Sequence, residues 1–321
     1  MDLVLKDSSG TDLMVVSPDS ADFEWGDGGN DFELTFGAGS RPPAMPEWGS
    51  VYAYGTEYGG VLTRVESAGG AVKWSGPTWT GLLAGKVLAP DAGSDRLTVS
   101  GEANAVLAKL VARMGLTDVL AASSENSGVA VDAYGFELYC DGYTGVRGML
   151  ASCGAKLRIR HDGERAVLSA LPAKNWGEEN ELVASAVDVE VDTEARFVNH
   201  LVARGSGEGQ DRVSVELYLD ASGNVSETQA FTGLRERAEY YDYTTADRDQ
   251  LVEDGTKRLK EYYAKSRSVA VEVNVDEDVF DIGDTIAGAD PATGVSAAAR
   301  VVGKVLTLDA RGRAKVSYTT G

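Results

Sequence analysis

Glycine punctuation constrains this chain most. Its 38 glycines, against eight prolines, fall between short runs rich in Val, Thr and Tyr. That pattern predicts many short strands joined by tight turns. A length of 321 residues allows about two to four domains. Hydrophobic and charged residues, at 43% and 25%, are in ordinary globular balance, so packed cores are expected rather than disorder.

The strands can be read off in order. Leu3–Leu5 runs through the turn Asp7–Gly10 into Leu13–Val16. Phe23–Trp25 passes through Gly26–Gly29 into Phe32–Phe36, where period-two alternation predicts Phe32, Leu34 and Phe36 on one buried face. Further strands are expected at 51–54, 61–65 and 72–74. A helix is expected from Ala103 to Met114, capped by Ser100 and closed by Gly115. A second is expected from Val146 to Cys153, with Thr144 as cap and Gly154 after it. A hairpin follows, 156–160 with 166–171, placing His161 in its polar turn. Residues 172–186 are polar and acidic and read as a boundary. Strands resume at 187–191, 198–203 and 213–219. A third helix is expected from Ala246 to Ala264 after Thr245. The remaining strands lie at 268–275, 285–287, 299–308 and 313–319. The fold class expected is α+β and β-rich.

The formal net charge is −20. Residues 1–50 hold ten acids and two bases, whereas 251–321 hold eleven acids and ten bases, so the excess sits early in the chain. An acidic surface repels phosphate, which argues against tight nucleic-acid binding. Such a surface can still line a path along which DNA slides. Solubility is the plainer reading, and composition does not separate the two. No run approaches the roughly 20 apolar residues of a membrane-spanning helix. The start of the chain has no basic segment leading an apolar core, so synthesis and assembly in a cytoplasm are expected.

Catalytic chemistry finds little support. Cys140 and Cys153 have no partner at metal-ligand spacing and read as small buried hydrophobes. His161 reads as a turn residue and His200 as packed within a strand; neither has a nucleophile motif beside it. Glu178, Glu179 and Glu181, and Asp276, Glu277 and Asp278, could form an acid–base pair, but with 50 acids such clusters arise by chance. Gly205–Gly209 lacks the ending of a phosphate loop. Asp220–Asn224 departs from a calcium loop and reads as a β-turn. Asp278, Asp281 and Asp284 could hold a cation, yet a turn into a strand is the stronger reading. Trp25, Trp48, Trp74, Trp79 and Trp176 could line a sugar face, but their scatter favours core and interface roles. No catalytic, cofactor-binding or metal-binding residue is therefore assigned, and the chain is expected not to be an enzyme.

Several fragments carry a family likeness. Asn30–Phe36 (NDFELTF) resembles siphophage tail proteins. In order follow Gly55–Gly60 (GTEYGG), Gly76–Ala84 (GPTWTGLLA), Val99–Asn104 (VSGEAN), Tyr143–Leu150 (YTGVRGML) and Gly154–Leu157 (GAKL). Val198–Val202 (VNHLV), Gly205–Glu208 (GSGE) and Phe280–Asp284 (FDIGD) complete the series. Together they resemble the tail-associated hub proteins, minor tail proteins at the tip of long non-contractile tails.

The resemblance implies a baseplate-hub-like fold of two β-barrel domains and two smaller α/β insert domains. The expected division is 1–98 for the first barrel and 99–184 for a mixed α/β domain. Residues 185–230 with 268–321 would form the second barrel, and 231–267 a helical insertion. It also implies a homotrimeric ring in the virion tail tip, joining the distal tail ring to tip or fibre proteins, with DNA passing through the lumen unbound. On this view Asp22, Glu24, Asp27 and Asp31 face the lumen. Many relatives continue into peptidase, lytic or receptor-binding regions, which are expected to be absent here or on another polypeptide. Two alternatives remain open: a carbohydrate receptor-binding tail protein and a peptidoglycan-degrading tail endopeptidase.

Overall fold

A computed structural model describes residues 1–37, 39–40, 42–177, 187–273 and 275–321. Glu178, Glu179 and Glu181 lie outside these residues. By internal contacts the chain forms two compact units. The first comprises Met1–Asp188, Val271–Ala289 and Ser296–Gly321; the second comprises Val189–Ala270 and Asp290–Val295.

In the first unit the N-terminal hairpin forms as its sequence predicts. Leu3–Lys6 pairs antiparallel with Asp12–Val16. Asp7 closes the turn, its Oδ1 accepting from the Ser9 and Thr11 N–H groups at 2.9 and 3.0 Å, while Gly10 takes a φ of 83°. Ser50–Tyr52 and Gly59–Val61 extend this into a four-stranded sheet.

A larger, eight-stranded sheet is built around Ser20–Gly26. That strand pairs with Asp31–Phe36 on one side and with Ser296–Leu308 on the other. Phe32, Leu34 and Phe36 are buried as their alternation predicts, beside Phe23, Trp25 and Trp74. Phe23 stacks on both Trp25 and Phe32, with ring centroids 5.7 and 5.6 Å apart. Leu306, Leu308 and Val316 close the same core from the far end of the sequence. Each such side chain contributes roughly 1.5–3 kcal/mol by leaving water.

The expected β-barrels are not closed: among the described residues the pairings run as open paths. The reason lies in the Ser296–Leu308 strand. Its first half pairs with Thr285–Ala289, while its second half lies between Ser20–Gly26 and Ala314–Thr320. The sheet therefore forks instead of returning on itself.

Among the described residues the first unit also holds three α-helices. These are α1 (Trp79–Ala84), α2 (Ala103–Arg113) and α3 (Gly142–Ser152). α2 and α3 bury Val106, Leu107, Leu110, Val146, Met149 and Leu150 against a sheet of Leu120–Ala122, Ala166–Pro172 and Ala155–His161. Both expected caps are corrected. Glu102, not Ser100, caps α2 by accepting from the Ala105 N–H at 2.8 Å. Burial opposes ionisation of Glu102, but hydrogen bonds from Ser127 and Ala105 outweigh it and bring its pKa down to about 2. Asp141, not Thr144, caps α3, and the Thr144 N–H is its donor at 2.9 Å. Gly115 and Gly154 do follow these helices, with φ of 67° and 68°.

Among the described residues the second unit is built on a four-stranded sheet backed by one α-helix. Its strands lie in the order Val225–Ser226, Ser214–Leu219, His200–Arg204, Ala238–Asp242. Helix α4 (Arg248–Lys265) starts two residues later than the sequence suggests, at a capping box formed by Asp247 and Gln250. Leu251, Gly255 and Leu259 face Leu201 and Leu217. The 231–267 segment thus supplies this unit with a parallel edge strand and its helix. The strands of 200–226 pair within this unit, while those of 285–320 pair within the first.

Candidate functional site

The most unusual chemistry in the molecule is a seam of buried lysines and carboxylates in the first unit. It begins at Phe280–Asp284, a turn closed by the Asp284 N–H donating to the Asp281 carbonyl at 3.1 Å. Tyr318 fixes the approach to this turn. Its hydroxyl accepts from the Val279 and Phe280 N–H groups at 2.8 and 3.2 Å and donates to the Glu277 carbonyl at 2.9 Å. Phe280 is fully buried, edge-on to both Trp176 and Tyr318.

Lys156, on the Ala155–His161 strand, reaches this turn. Its ammonium donates to Asp281 at 2.6 Å and to both oxygens of Asp284 at 2.7 and 2.9 Å. Asp284 also accepts from the Lys174 N–H at 2.8 Å and the Trp176 indole N–H at 3.1 Å. Burial raises the Asp281 carboxyl, but the Lys156 ammonium outweighs this and leaves it below its usual range. Lys304, on the Ser296–Leu308 strand, makes a second cluster. It pairs with Glu57 and, at 2.9 Å, with Asp278, which also accepts from the Tyr58 hydroxyl at 2.6 Å. Burial disfavours the Lys304 charge, but Glu57 and Asp278 prevail and hold it protonated above the ordinary lysine range. Burial, then Asp278, pushes the Tyr58 phenol up. A cavity of about 200 Å³ opens over this cluster, lined by Glu57, Arg158, Arg160, Asp278, Asp281 and Lys304.

The seam answers one question left by the sequence. Asp278, Asp281 and Asp284 do each hold a cation, but the cations are lysine side chains. With donors and acceptors matched in this way, the arrangement can clamp segments together. Each of its four carboxylates is paired with a lysine, Glu57 and Asp278 with Lys304 and Asp281 and Asp284 with Lys156. Its lysines escaped notice because a lysine inside a strand carries no local sign of burial.

The other flagged residues are scattered. His161 is buried in its strand, not exposed in the turn; the strand's alternation carries it inward beside Ile159. It stacks on Tyr52 at 3.7 Å, and its Nδ1 accepts from the Gly163 N–H at 3.0 Å. Burial, helped by Lys6, lowers its pKa to about 4 from an ordinary 6.5. His161 is then neutral in the folded state. The unfolded chain takes up a proton first, so stability is full above pH 6.5 and falls as pH drops towards 4. A His161→Phe variant keeps a ring on Tyr52 and loses this titration. Urea unfolding should show its stability falling by about 2 kcal/mol less than wild type between pH 7 and 5.

His200 lies in the second unit, its Nδ1 2.7 Å from Glu236 and its ring stacked on Tyr218 at 4.2 Å. Asp220 accepts from the Ser222 and Asn224 N–H groups, making the expected β-turn. Trp25, Trp74 and Trp79 are buried, whereas Trp48 is exposed. Cys140 and Cys153 are half-buried free thiols, pushed up by burial. Of the early acids, Asp22 sits directly opposite Glu33; burial, then Glu33 and Asp31, raises its carboxyl. Asp27 pairs with Arg147.

No helix among the described residues is long and apolar enough to cross a membrane. No family model matches the sequence, and no curated protein matches it. Among solved structures, the chain is similar to a tail protein from Neisseria meningitidis MC58, at 14% identity and a TM-score of 0.44, with 100% of this chain and 96% of that one covered. It is similar to the prophage tail protein gp18 from Listeria monocytogenes EGD-e at 12% identity and 0.47, covering 99% and 94%. The 43 kDa tail protein of prophage MuSo2 from Shewanella oneidensis gives 11% and 0.48, covering 100% and 96%. These neighbours are tail proteins, two of them from prophages.

Proposed function

We propose that this chain is a structural component of a phage or phage-like tail, acting at the tip as a hub. In this reading three copies form a ring that links the distal tail ring to tip or fibre proteins. DNA passes through the lumen, and Asp22, Glu24, Asp27 and Asp31 face it, keeping the phosphate backbone from adhering. The protein works by shape and not by catalysis.

One observation carries the proposal. Fragments that resemble the hub family, far apart in sequence, meet at the joints of the fold. Gly154–Leu157 and Phe280–Asp284 join through Lys156 and Asp284, 128 residues apart. Asn30–Phe36 and Gly76–Ala84 join where Asp31 and Phe32 pair with Pro77 and Gly76. A likeness concentrated at long-range joints supports a shared architecture. The non-enzymatic reading is supported by what the histidines do: His161 is locked under Tyr52, and His200 is tied to Glu236.

The test is the mass of the purified protein by light scattering, with negative-stain images, alone and with its distal tail ring protein. Trimers and threefold rings are expected. Monomers or twofold dimers in the presence of that partner would sink the proposal. A zymogram in which the protein cleared cell wall would overturn the non-enzymatic part.

A further inference from the structure

The Asp12–Val16 strand ends its sheet. Leu3–Lys6 pairs with one side of it, and no described strand pairs with the other. Its side chains depart from the alternation that buries every second residue. Leu13, Met14 and Val15 are 51%, 49% and 57% exposed, so apolar groups stand in water on both faces of an open edge. Soluble proteins usually blunt such edges with lysine, proline or a short strand. Here the strand runs five residues and contains neither lysine nor proline. The end strand Arg64–Ala68, by contrast, carries Arg64 and Glu66. The edge is also held in shape. Lys6 donates to the Gly10 carbonyl at 3.0 Å and pairs with Asp12 at 3.1 Å, pinning the turn that precedes it.

We propose that this edge receives an added strand from a different protein. The added segment is extended, apolar at alternate positions, and carries lysine or arginine at its ends. Main-chain hydrogen bonds to the free edge supply affinity, and contacts with Leu13, Met14 and Val15 supply register. Charge selects the occupant. Asp7 and Asp12 stand at one end of the strand, Asp7 accepting from the Thr11 N–H. Asp2 stands at the other, accepting from the Ser17 hydroxyl at 2.6 Å, with exposed Asp19 close by in sequence. Lys6 is buried and already committed. A second copy pairing antiparallel through this same edge would set acids against acids at both ends. A basic-ended strand meets them with opposite charge. The inference does not depend on the tail-hub reading, since it rests on this edge alone.

The experiment uses the full chain and a fluorescein-labelled peptide, KKTVTVTKK, followed by fluorescence anisotropy. Saturable binding is expected, with hydrogen-exchange protection gained at the amides of Asp12–Val16. An acidic-ended peptide, EETVTVTEE, should bind at least about tenfold more weakly, and KKTPTPTKK, which cannot complete the ladder, should not bind. A Met14→Lys/Val15→Lys variant should lose about tenfold or more in affinity for KKTVTVTKK. Absence of saturable binding would overturn the proposal. So would equal binding by the proline peptide, or protection elsewhere than Asp12–Val16. A doubling of mass in wild type that the double variant abolishes would identify a second copy as occupant, and would also overturn it.

Discussion

An Asp284→Ala variant should lose about 3–5 kcal/mol of stability in the first unit, a fall of roughly 1–2 M in urea midpoint. All five tryptophans belong to that unit, so indole emission reports its unfolding alone. The size of the effect follows from what the substitution strands. Asp284 is almost wholly buried and accepts from Lys156 on both oxygens. Without it, the Lys156 ammonium stays buried with only Asp281 as counter-ion. The Lys174 N–H, the Trp176 indole N–H and the Asp281 N–H lose their acceptor as well. A buried charge deprived of its partner costs far more than the pair itself contributes. Removing both charges in a Lys156→Met/Asp284→Leu variant should therefore restore most of the loss. A deficit of about 1–2 kcal/mol should remain, because three N–H groups stay unsatisfied and Asp281 loses its lysine. If Asp284→Ala unfolded within about 1 kcal/mol of wild type, the seam would not be what holds these segments together.

Local structure was legible in the residues, and long-range structure was not. The hairpin at Asp7–Gly10 announces itself through an acid and a glycine at turn positions. The buried face of Phe32, Leu34 and Phe36 follows from alternation alone. Helix ends were legible at the C-terminus, where Gly115 and Gly154 supply a left-handed conformation, but not at the N-terminus. There Glu102 and Asp141 cap, because the competition among nearby acids and hydroxyls is settled by packing. Helix α1 escaped because six residues give no periodicity to read. The candidate site was half visible. Its acids stood out as Asp278, Asp281 and Asp284, while the cations they hold come from strands at Lys156 and Lys304. Nothing near those lysines in sequence signals that they turn inward. His161 shows the same limit. A hairpin position suggested a solvated tip, yet the strand runs one residue further and its alternation carries the ring under Tyr52.

The pairing of Ser20–Gly26 with Ser296–Leu308 had no signal at all in sequence, and Gly26→Ala tests it directly. Gly26 has a φ of 105° and lies opposite Gly303. A Cβ there would stand 2.1 Å from the Val302 carbonyl oxygen and 2.6 Å from the Gly303 Cα. Both are backbone atoms, so no side chain can swing aside. Gly26 cannot retreat either. Asn30 accepts from its N–H at 3.2 Å and donates to its carbonyl at 2.8 Å, while the next N–H, of Asp27, donates to Val302 at 3.1 Å. An alanine must part the two strands, and with them the contact of Leu306 and Leu308 with the Phe23 core. The expected loss is about 3–6 kcal/mol, combining backbone strain with overpacking. Two controls separate these causes. Gly10 has a φ of 83° with nothing within 4 Å of a Cβ, so Gly10→Ala carries strain alone and should cost about 1–2 kcal/mol. Gly303→Ala would meet the Thr319 side chain at 3.3 Å and the Trp25 carbonyl oxygen at an ordinary 3.5 Å, and should cost still less. If indole emission showed Gly26→Ala unfolding at the same urea concentration as Gly10→Ala, the Val302 carbonyl would not lie against Gly26. Ser20–Gly26 and Ser296–Leu308 would then not be neighbours, and the core they share would have to be redrawn.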